Sequence, residues 1–250
     1  MRLRRILVAA ALLAAACKPA FNAATYPNVD SLYTAAMAQF KAHHYDNSAK
    51  AFELLTTELP ARDPRMSRAF FYLAKSQEKI GEHLLAAKSY SRIYEQFPED
   101  TLADDGLLYS GLAYESMWRK PNLDATYGES AQTQFQTLLG LYPDSPLVPR
   151  ANKQLAVLEE WFATKDYDTG YHYLKRKAFD SAIIYFKDVI RLHPAALKTR
   201  EAYLRLHEAY GAINYKDDAR DLCDAMRKSY PSDGDVNRMC GATPAAVTAK

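Results

Sequence analysis

Residues 177–194, KAFDSAIIYFKDVIRLHP, carry their apolar side chains at helical spacing. The apolar positions are Phe179, Ala182, Ile183, Phe186, Val189 and Ile190. They form one stripe along an α-helix, and Pro194 ends the helix because proline has no backbone N–H. The small Ala182 lets a neighbouring helix come close, one turn before the bulky Phe186. This order of residues predicts one unit of a helical repeat.

The same frame recurs four more times along the chain. The copies are Tyr45, Ser48, Phe52, Leu55 and Pro60; His83, Ala86, Tyr90, Ile93 and Pro98; Ala131, Phe135, Leu138 and Pro143; and Lys216, Ala219, Cys223, Met226 and Pro231. The closing prolines are spaced by 38, 45, 51 and 37 residues. A unit of about 37 residues with two insertions accounts for these spacings. We therefore predict an all-α repeat protein.

The repeats divide the chain into segments. The predicted segments are 1–16 (signal peptide), 17–28 (lipidated cysteine and flexible tether), 29–99 (repeats one and two), 100–163 (repeat three with an insertion and an extra helix), 164–231 (repeats four and five) and 232–250 (flexible tail). The insertion, residues 118–130, is predicted to be a surface loop, and the extra helix covers residues 151–163. Asp30 is the predicted N-cap of the first helix. Gly81 is expected to end the first helix of repeat two in the left-handed conformation.

The first 17 residues, MRLRRILVAAALLAAAC, have a basic start, an apolar run and small residues before a cysteine. The apolar run is too short to span a bilayer, which predicts a signal peptide and export. The cysteine resembles that of a bacterial lipobox, in which Cys17 becomes the acylated first residue of the mature chain and anchors it to a membrane. Lys18, in place of an aspartate, favours the outer membrane. The alternative is an ordinary signal peptide cleaved after Ala-x-Ala.

The charge balance argues against a nucleic-acid partner. The chain carries 32 basic and 30 acidic residues, and removal of Arg2, Arg4 and Arg5 with the signal peptide leaves 29 basic residues. Nucleic-acid binding requires a basic patch or stripe, which a nearly neutral mature protein does not favour.

Cys223 and Cys240 are the cysteines that follow Cys17. Their spacing matches neither a C-x-x-C motif nor a zinc site with a neighbouring histidine pair, so no metal site is predicted. In an oxidising compartment they can pair as a disulfide and hold the C-terminal segment against the last repeat. The alternative is that Cys223 is a small core residue of the frame.

No enzyme motif stands out. G-x-S-x-G, H-E-x-x-H and phosphate-loop patterns are absent from the sequence. Paired acids such as Asp104 and Asp105 are sequence neighbours, so on a helix their side chains diverge by about 100° and do not share a proton. We predict that the protein is not an enzyme and needs no cofactor or metal.

Helical phase identifies two candidate binding surfaces. On the first helices of repeats one and two, the positions outside the core frame would line a peptide groove: Tyr33, Met37, Phe40, Arg68, Phe71 and Lys75. Aromatic side chains beside basic ones suit an extended peptide with aromatic residues and a free carboxylate. Packing of these aromatics against the adjacent helix or the tether is the alternative.

The second surface lies on repeats four and five, where exposed positions would form a docking face: Tyr185, Lys187, Lys198, Arg200 and Arg205. Tyrosine and arginine often anchor protein interfaces. A solvated basic face is the alternative.

The frame resembles the tetratricopeptide repeat, which has large, small and aromatic positions on its first helix and small, aromatic, apolar and proline positions on its second. Repeat two shows this pattern in Phe70, Leu73, Ala74, Gly81, Ala86, Tyr90, Ile93 and Pro98. The resemblance implies a superhelix of about five hairpins, with one extra helix before repeat four, in which each hairpin contacts its neighbours.

Residues 17–231 as a whole resemble the BamD family of outer-membrane lipoproteins. The resemblance rests on the lipobox, the short tether, the insertion, the extra helix and the motifs FQTLLGLYPDSPLVPRA and YDTGYHYLKRKAFDSAIIYF. It implies a non-enzymatic scaffold of the β-barrel assembly machinery at the periplasmic face of the outer membrane. The N-terminal repeats would bind unfolded outer-membrane proteins and the C-terminal repeats the POTRA domains of the insertase, with accessory lipoproteins as further partners.

Two alternatives to this function remain open. One is another periplasmic repeat scaffold, such as a pilus-assembly pilotin or a cell-division coordinator. The other is a lipid-anchored envelope hydrolase or its activator, against which the lack of a nucleophile or metal motif argues.

Overall fold

The part of the chain that the structure describes, residues 21–241, is all-helical in this computed structural model and contains no strand. After a short 3₁₀ turn at Ala23–Thr25, the helices are α1 (Val29–Lys41), α2 (Tyr45–Glu58), α3 (Met66–Lys79), α4 (His83–Gln96), α5 (Ala103–Glu115), α6 (Thr126–Leu141), α7 (Val148–Lys175), α8 (Phe179–Leu192), α9 (Lys198–Ala212), α10 (Lys216–Ser229) and α11 (Gly234–Cys240). The all-α prediction is confirmed. The predicted signal peptide, Cys17 and residues 242–250 lie outside the described residues.

The helices belong to two compact units, Met1–Gly106 and Leu107–Lys250, whose boundary falls inside α5. In unit 1, α1 packs against α2, α2 against α3, and α3 against α4. In unit 2, each helix from α6 to α11 packs against the next one along the chain, and α7 also contacts α9. Hairpins that contact their chain neighbours are the arrangement of a helical repeat protein.

The predicted frame forms the core of the hairpins. In repeat two, Ala86, Tyr90 and Ile93 are fully buried. Their equivalents in repeat four are also fully buried: Ala182, Phe186 and Val189. Each large apolar side chain buried in this way contributes about 1.5–3 kcal/mol, so the frame supplies much of the stability of each hairpin.

The turns inside four of the hairpins share a left-handed residue. His43, Gly81, Lys177 and Asn214 have φ of 60°, 85°, 59° and 62°, each two positions after the end of a helix. The next N–H donates to a carbonyl five residues earlier, as from Glu82 to Gln77 at 2.8 Å. This is the Schellman bond that closes a helix. The prediction for Gly81 is confirmed, and three other residue types adopt the same conformation.

The N-terminal end of α1 differs from the prediction. The N-cap is Asn28, whose side chain accepts a hydrogen bond from the Ser31 N–H at 2.9 Å. Asp30 lies in the first turn of the helix, where its negative charge interacts favourably with the positive end of the helix dipole.

Helix α7 joins the predicted extra helix to the first helix of repeat four. It runs without interruption for 28 residues, or about 42 Å, and includes both the extra helix and the first helix of repeat four. None of the helices in residues 21–241 has the length and apolar character needed to cross a membrane.

The insertion in repeat three is shorter and more buried than predicted. Helix α6 begins at Thr126, inside the predicted loop, and Trp118 is 2% exposed. The Trp118 ring lies 5.3 Å from that of Trp161 and 4.8 Å from that of Phe162, both on α7. The expectation of a surface loop is wrong for Trp118, because this side chain packs into unit 2.

The expectation of a flexible tail from residue 232 is also wrong for residues 234–240, which form α11. Asp233 caps this helix and Val236 packs against Cys223 and Met226 of α10. A disulfide joins Cys223 to Cys240, with their Cα atoms 5.4 Å apart. Apolar packing and the disulfide therefore hold this segment on the last repeat.

Candidate functional site

The six predicted groove residues lie on two first helices of unit 1, and we call them the aromatic surface. Tyr33, Met37 and Phe40 belong to α1. The other three, Arg68, Phe71 and Lys75, belong to α3. Arg68 is exposed and the remaining five are half-buried, so each keeps part of its side chain accessible to a ligand.

Ring contacts connect the aromatic members of this surface. The Tyr33 ring meets Phe52 edge-on at 5.9 Å between centroids, and Phe52 stacks on Tyr72 at 5.6 Å. Tyr72 also contacts Phe40 at 4.9 Å and Phe71 at 5.9 Å. Tyr33, Phe40 and Phe71 therefore pack on neighbouring helices, as the alternative interpretation expected, and these three rings remain half-buried. Tyr72, which the sequence pattern did not indicate, joins the aromatic side chains of α1 to those of α3.

Cationic groups stand at both ends of the aromatic surface. The Lys75 Nζ lies 4.8 Å from the centroid of Phe71, and the Arg65 guanidinium lies 5.7 Å from that of Tyr33. Burial raises the pKa of the Tyr33 hydroxyl, and the nearby charge of Arg68 offsets part of that rise. Positive charge from Arg68 and Lys75 beside half-buried rings can attract a carboxylate and an aromatic side chain together.

Arg65 is a residue of this region that sequence reasoning missed. Its guanidinium binds Asp30 at 2.5 Å and Asp63 at 2.8 Å, and it lowers the pKa of Asp63 to about 2. Asp30 and Arg65 are 35 positions apart in sequence, so no local pattern indicated the contact. The pair ties the start of α1 to the turn before α3 and so holds the two first helices in register.

A second group of rings and cations occurs in unit 2, and we call it the tyrosine surface: Tyr167, Tyr171, Lys175, Lys198 and Arg205. Tyr167 and Tyr171 of α7 stack at 5.9 Å. The Lys198 Nζ lies 4.8 Å from the Tyr167 centroid, and the Arg205 guanidinium lies 5.5 Å from that of Tyr171. Burial raises the pKa of Tyr167. The structure thus brings the two predicted docking residues Lys198 and Arg205 together on Tyr167 and Tyr171. The spacing of four residues between these tyrosines, in YDTGYHYLK, could have indicated this cluster.

The other docking candidates lie elsewhere in unit 2. Tyr185 stacks on Tyr173 at 5.5 Å. Lys187 lies 5.6 Å from the centroid of Tyr210, at a cavity of about 300 Å³. Since these two side chains have different neighbours from Lys198 and Arg205, the five candidates do not form one continuous cluster.

Arg200 has a different environment from the other docking candidates. Its guanidinium binds Asp233 at 2.5 and 2.8 Å and Asp235 at 2.5 Å, and it holds the pKa of both carboxyls below their usual value. The contacts attach α9 to the beginning of α11. A cavity of about 640 Å³ opens beside these groups and is lined by Arg200, Glu201, Leu204, Arg205, Glu208, Asp235, Arg238 and Met239.

Helical hairpins with a shared core frame define a repeat protein of the tetratricopeptide class. The sequence model of the YfiO family, described as an outer membrane lipoprotein, matches residues 27–224. This match covers most of the chain, and the protein belongs to the YfiO family, whose curated relatives are named BamD.

Those relatives are similar to the chain at low identity over most of its length. The outer membrane protein assembly factor BamD of Xylella fastidiosa strain 9a5c is 24% identical over 216 residues, which cover 81% of this chain and 74% of the relative. The BamD proteins of Caulobacter vibrioides and Haemophilus influenzae are 22% and 21% identical, over 91% and 88% of this chain and 75% and 89% of the relatives.

The comparison with solved structures matched tetratricopeptide repeat proteins. A thermophilic tetratricopeptide repeat protein of Thermus thermophilus has a TM-score of 0.39 at 19% identity over 85% of this chain and 97% of its own. The TPR2AB domain of yeast Sti1 has a TM-score of 0.41 at 14% identity over 85% of this chain and 81% of its own.

Proposed function

We propose that the protein is a non-enzymatic scaffold subunit in the assembly of outer-membrane β-barrel proteins. Its relatives are named outer membrane protein assembly factors, and membership of the YfiO family supports the same role here. Unit 1 binds unfolded outer-membrane proteins, and unit 2 binds the POTRA domains of the insertase, with accessory lipoproteins as further partners.

The observation that carries the substrate proposal is the aromatic surface of α1 and α3. Half-buried rings of Tyr33, Phe40 and Phe71 offer apolar contact, and Arg68 and Lys75 offer positive charge beside them. An extended peptide that ends in an aromatic residue and a free carboxylate is complementary to both features. We propose that such a C-terminal segment of an unfolded barrel protein is the ligand.

The experiment compares two double variants with the same geometry. In unit 1, Phe71 and Lys75 are four residues apart, with the lysine Nζ 4.8 Å from the ring centroid. In unit 2, Tyr171 and Lys175 have the same spacing and the same distance of 4.8 Å. The variants are Phe71→Ala with Lys75→Glu, and Tyr171→Ala with Lys175→Glu. Each change removes one ring and reverses one charge on a first helix.

The ligand is a fluorescent synthetic peptide with a C-terminal aromatic residue, and binding is measured by anisotropy with the full chain. The unit 1 variant should raise Kd by about tenfold or more, since a central aromatic anchor typically contributes about 2 kcal/mol. The unit 2 variant is the matched control and should keep the affinity of the unaltered protein. Circular dichroism should show unchanged helicity in both variants. Equal affinity in the unit 1 variant and the unaltered protein would remove the groove proposal. An amidated peptide should bind more weakly than the free acid.

For docking, we propose that the tyrosine surface contacts the insertase. Tyr171, Lys198 and Arg205 combine rings and positive charge over α7 and α9, a composition typical of interface anchors. The Tyr171→Ala and Lys175→Glu variant should lose binding to immobilised POTRA domains while the unit 1 variant keeps it. Loss of POTRA binding in both variants, or in neither, would contradict this division of labour.

The place of the protein in the envelope is tested by co-purification. Mild-detergent isolation of the tagged full chain, followed by mass spectrometry, should recover a POTRA-containing barrel in a near-equal amount. Recovery of pilus or cell-division proteins instead would favour the other class of periplasmic repeat scaffold. Digestion of peptidoglycan by the purified protein would favour the envelope hydrolase.

We further propose that acylated Cys17 anchors the mature chain at the periplasmic face of the outer membrane. The leader sequence supports this, because small residues precede the cysteine after a short apolar run. Mass spectrometry of the N-terminal peptide should detect the acyl mass, and Cys17→Ser should release the protein into the soluble periplasmic fraction.

A further inference from the structure

Three metal-ligating side chains meet where the C-terminal helix contacts the last repeat. His207 lies on α9, Cys223 on α10 and Cys240 on α11, and one ligand atom from each is within 4.8 Å of the other two. The sulfur atoms are joined as a disulfide in this structure. Cys223 is buried, while His207 and Cys240 are half-buried.

The imidazole of His207 has no other use among residues 21–241. It takes part in no hydrogen bond or ion pair there, and burial alone lowers its pKa. An unpaired imidazole beside two cysteine sulfurs is the ligand set of a Cys₂His zinc site.

We propose that the reduced form of the cluster His207, Cys223 and Cys240 is a zinc-binding site. A dithiol reductant supplies two electrons to the S–S bond, each sulfur takes up one proton, and the reductant becomes a disulfide. Zn²⁺ then replaces the two thiol protons, which pass to water. The two thiolates and the imidazole provide three ligands, and water takes the fourth position of a tetrahedral ion. Thiolate and imidazole ligands favour Zn²⁺ over Mg²⁺ or Ca²⁺, which prefer oxygen.

Other contacts keep the three side chains close when the disulfide is open. Arg200 binds Asp233 and Asp235 at the start of α11, and Arg227 donates to the Cys240 carbonyl oxygen at its end. Val236, which is 1% exposed, packs against Met226. The site is thus preorganised by the fold. In the oxidised protein the disulfide fastens α11, and in the reduced protein the zinc ion takes over that role.

The test uses the full chain in detergent. The protein is reduced with a dithiol, the reductant is removed under anaerobic conditions, and the protein is then titrated with Co²⁺ alone. A thiolate-to-cobalt charge-transfer band and tetrahedral d–d bands should appear at one equivalent and disappear when Zn²⁺ is added. The oxidised protein should give neither. Cys223→Ser with Cys240→Ser should abolish the bands, although this variant retains Cys17.

The role of His207 is tested by His207→Gln, with exposed His172→Gln as the matched control. Loss of an outer-shell partner costs about 10–100-fold in metal affinity, so loss of this ligand should weaken Co²⁺ binding by about 100-fold, and the control should not change it. Equal affinity in His207→Gln and the unaltered protein would overturn the proposal. So would bands that persist in the double cysteine variant, or their absence from the reduced protein.

A second measurement does not depend on the spectrum. Trypsin cleavage at Arg227 and Arg238 should be slower in the reduced protein with Zn²⁺ than with a chelator, because the ion closes the cluster. Equal cleavage rates in both conditions would also overturn the proposal.

Discussion

Arg200 binds Asp233 through both carboxylate oxygens, across 33 residues of sequence. The pair joins α9 to the cap of α11, and Arg200 reaches Asp235 as well. A residue that looked like an exposed docking contact in the sequence is therefore the attachment point of the C-terminal helix. Charge-assisted bonds to two carboxylates are among the stronger polar contacts in proteins.

Arg200→Gln should loosen α11 without unfolding the repeats. Amide hydrogen exchange should become faster in residues 234–240, while the exchange of α8 should not change, because the substitution removes contacts to α11 alone. Arg220→Gln is the matched control, since Arg220 pairs with Asp217 on its own exposed helix face. If the two variants exchanged alike, the attachment role would be wrong.

The left-handed turn residues predict a gain in stability at one site. Lys177→Gly should stabilise unit 2 by about 0.5–1 kcal/mol, because glycine adopts φ near 59° without the Cβ penalty that lysine carries. Urea denaturation measures the change. Asn214→Gly should gain less, since asparagine tolerates this conformation, and Gly81→Ala should lose about 1 kcal/mol or more. A loss of stability in Lys177→Gly would contradict the turn geometry.

Substitution by alanine should have opposite effects on stability at two helical glycines, Gly111 and Gly140. A Cβ at Gly111 would stand 2.4 Å from the ring of fully buried Phe135, whereas a Cβ at Gly140 meets nothing within 4 Å. Gly111→Ala should therefore cost about 1–3 kcal/mol by overpacking, and Gly140→Ala should gain about 0.5–1 kcal/mol by helix propensity. Thermal unfolding of the two variants should shift in opposite directions. A shift in the same direction would show that the α5–α6 contact is not as tight as described.

His193 predicts a pH-dependent contribution to stability. Its ring nitrogens lie 3.5 Å from Asp166 and 3.2 Å from Glu159, both on α7. Asp166 has the largest effect on the His193 pKa, and together the two carboxylates raise that pKa above 6.5 although burial opposes the change. The folded state therefore favours the protonated form. The stabilisation is fully present below the unfolded pKa of 6.5 and is lost as the pH rises through the folded value.

The measurement for His193 is urea denaturation from about pH 6 to about pH 9, which brackets the ordinary histidine pKa and a raised one. His193→Gln should be less stable than the unaltered protein at the acidic end, and the difference should shrink towards the alkaline end. Glu159→Gln with Asp166→Asn should remove most of the same pH dependence. A difference that grew with pH would mean that His193 is held neutral in the fold.

Short-range periodicity was enough to predict the class of fold. Residues such as Ala182, Phe186 and Pro194 repeat at fixed offsets, and a hairpin that contacts only its chain neighbours needs little more information than that. Gly81 was predicted for the same reason, because a Schellman turn is a local structure. The candidate aromatic surface also followed from helical phase within single helices.

The contacts between distant residues were decided by the tertiary structure. The salt bridges of Asp30 with Arg65 and of Arg200 with Asp233 form only when the helices pack together. The same is true of the contact between Trp118 and α7. The grouping of His207 with two cysteines is of this kind as well, since each comes from a different helix and no spacing in the sequence joins them. Helical spacing determines which face of a helix is buried, whereas the partner across that face depends on packing between elements, which a local pattern does not contain.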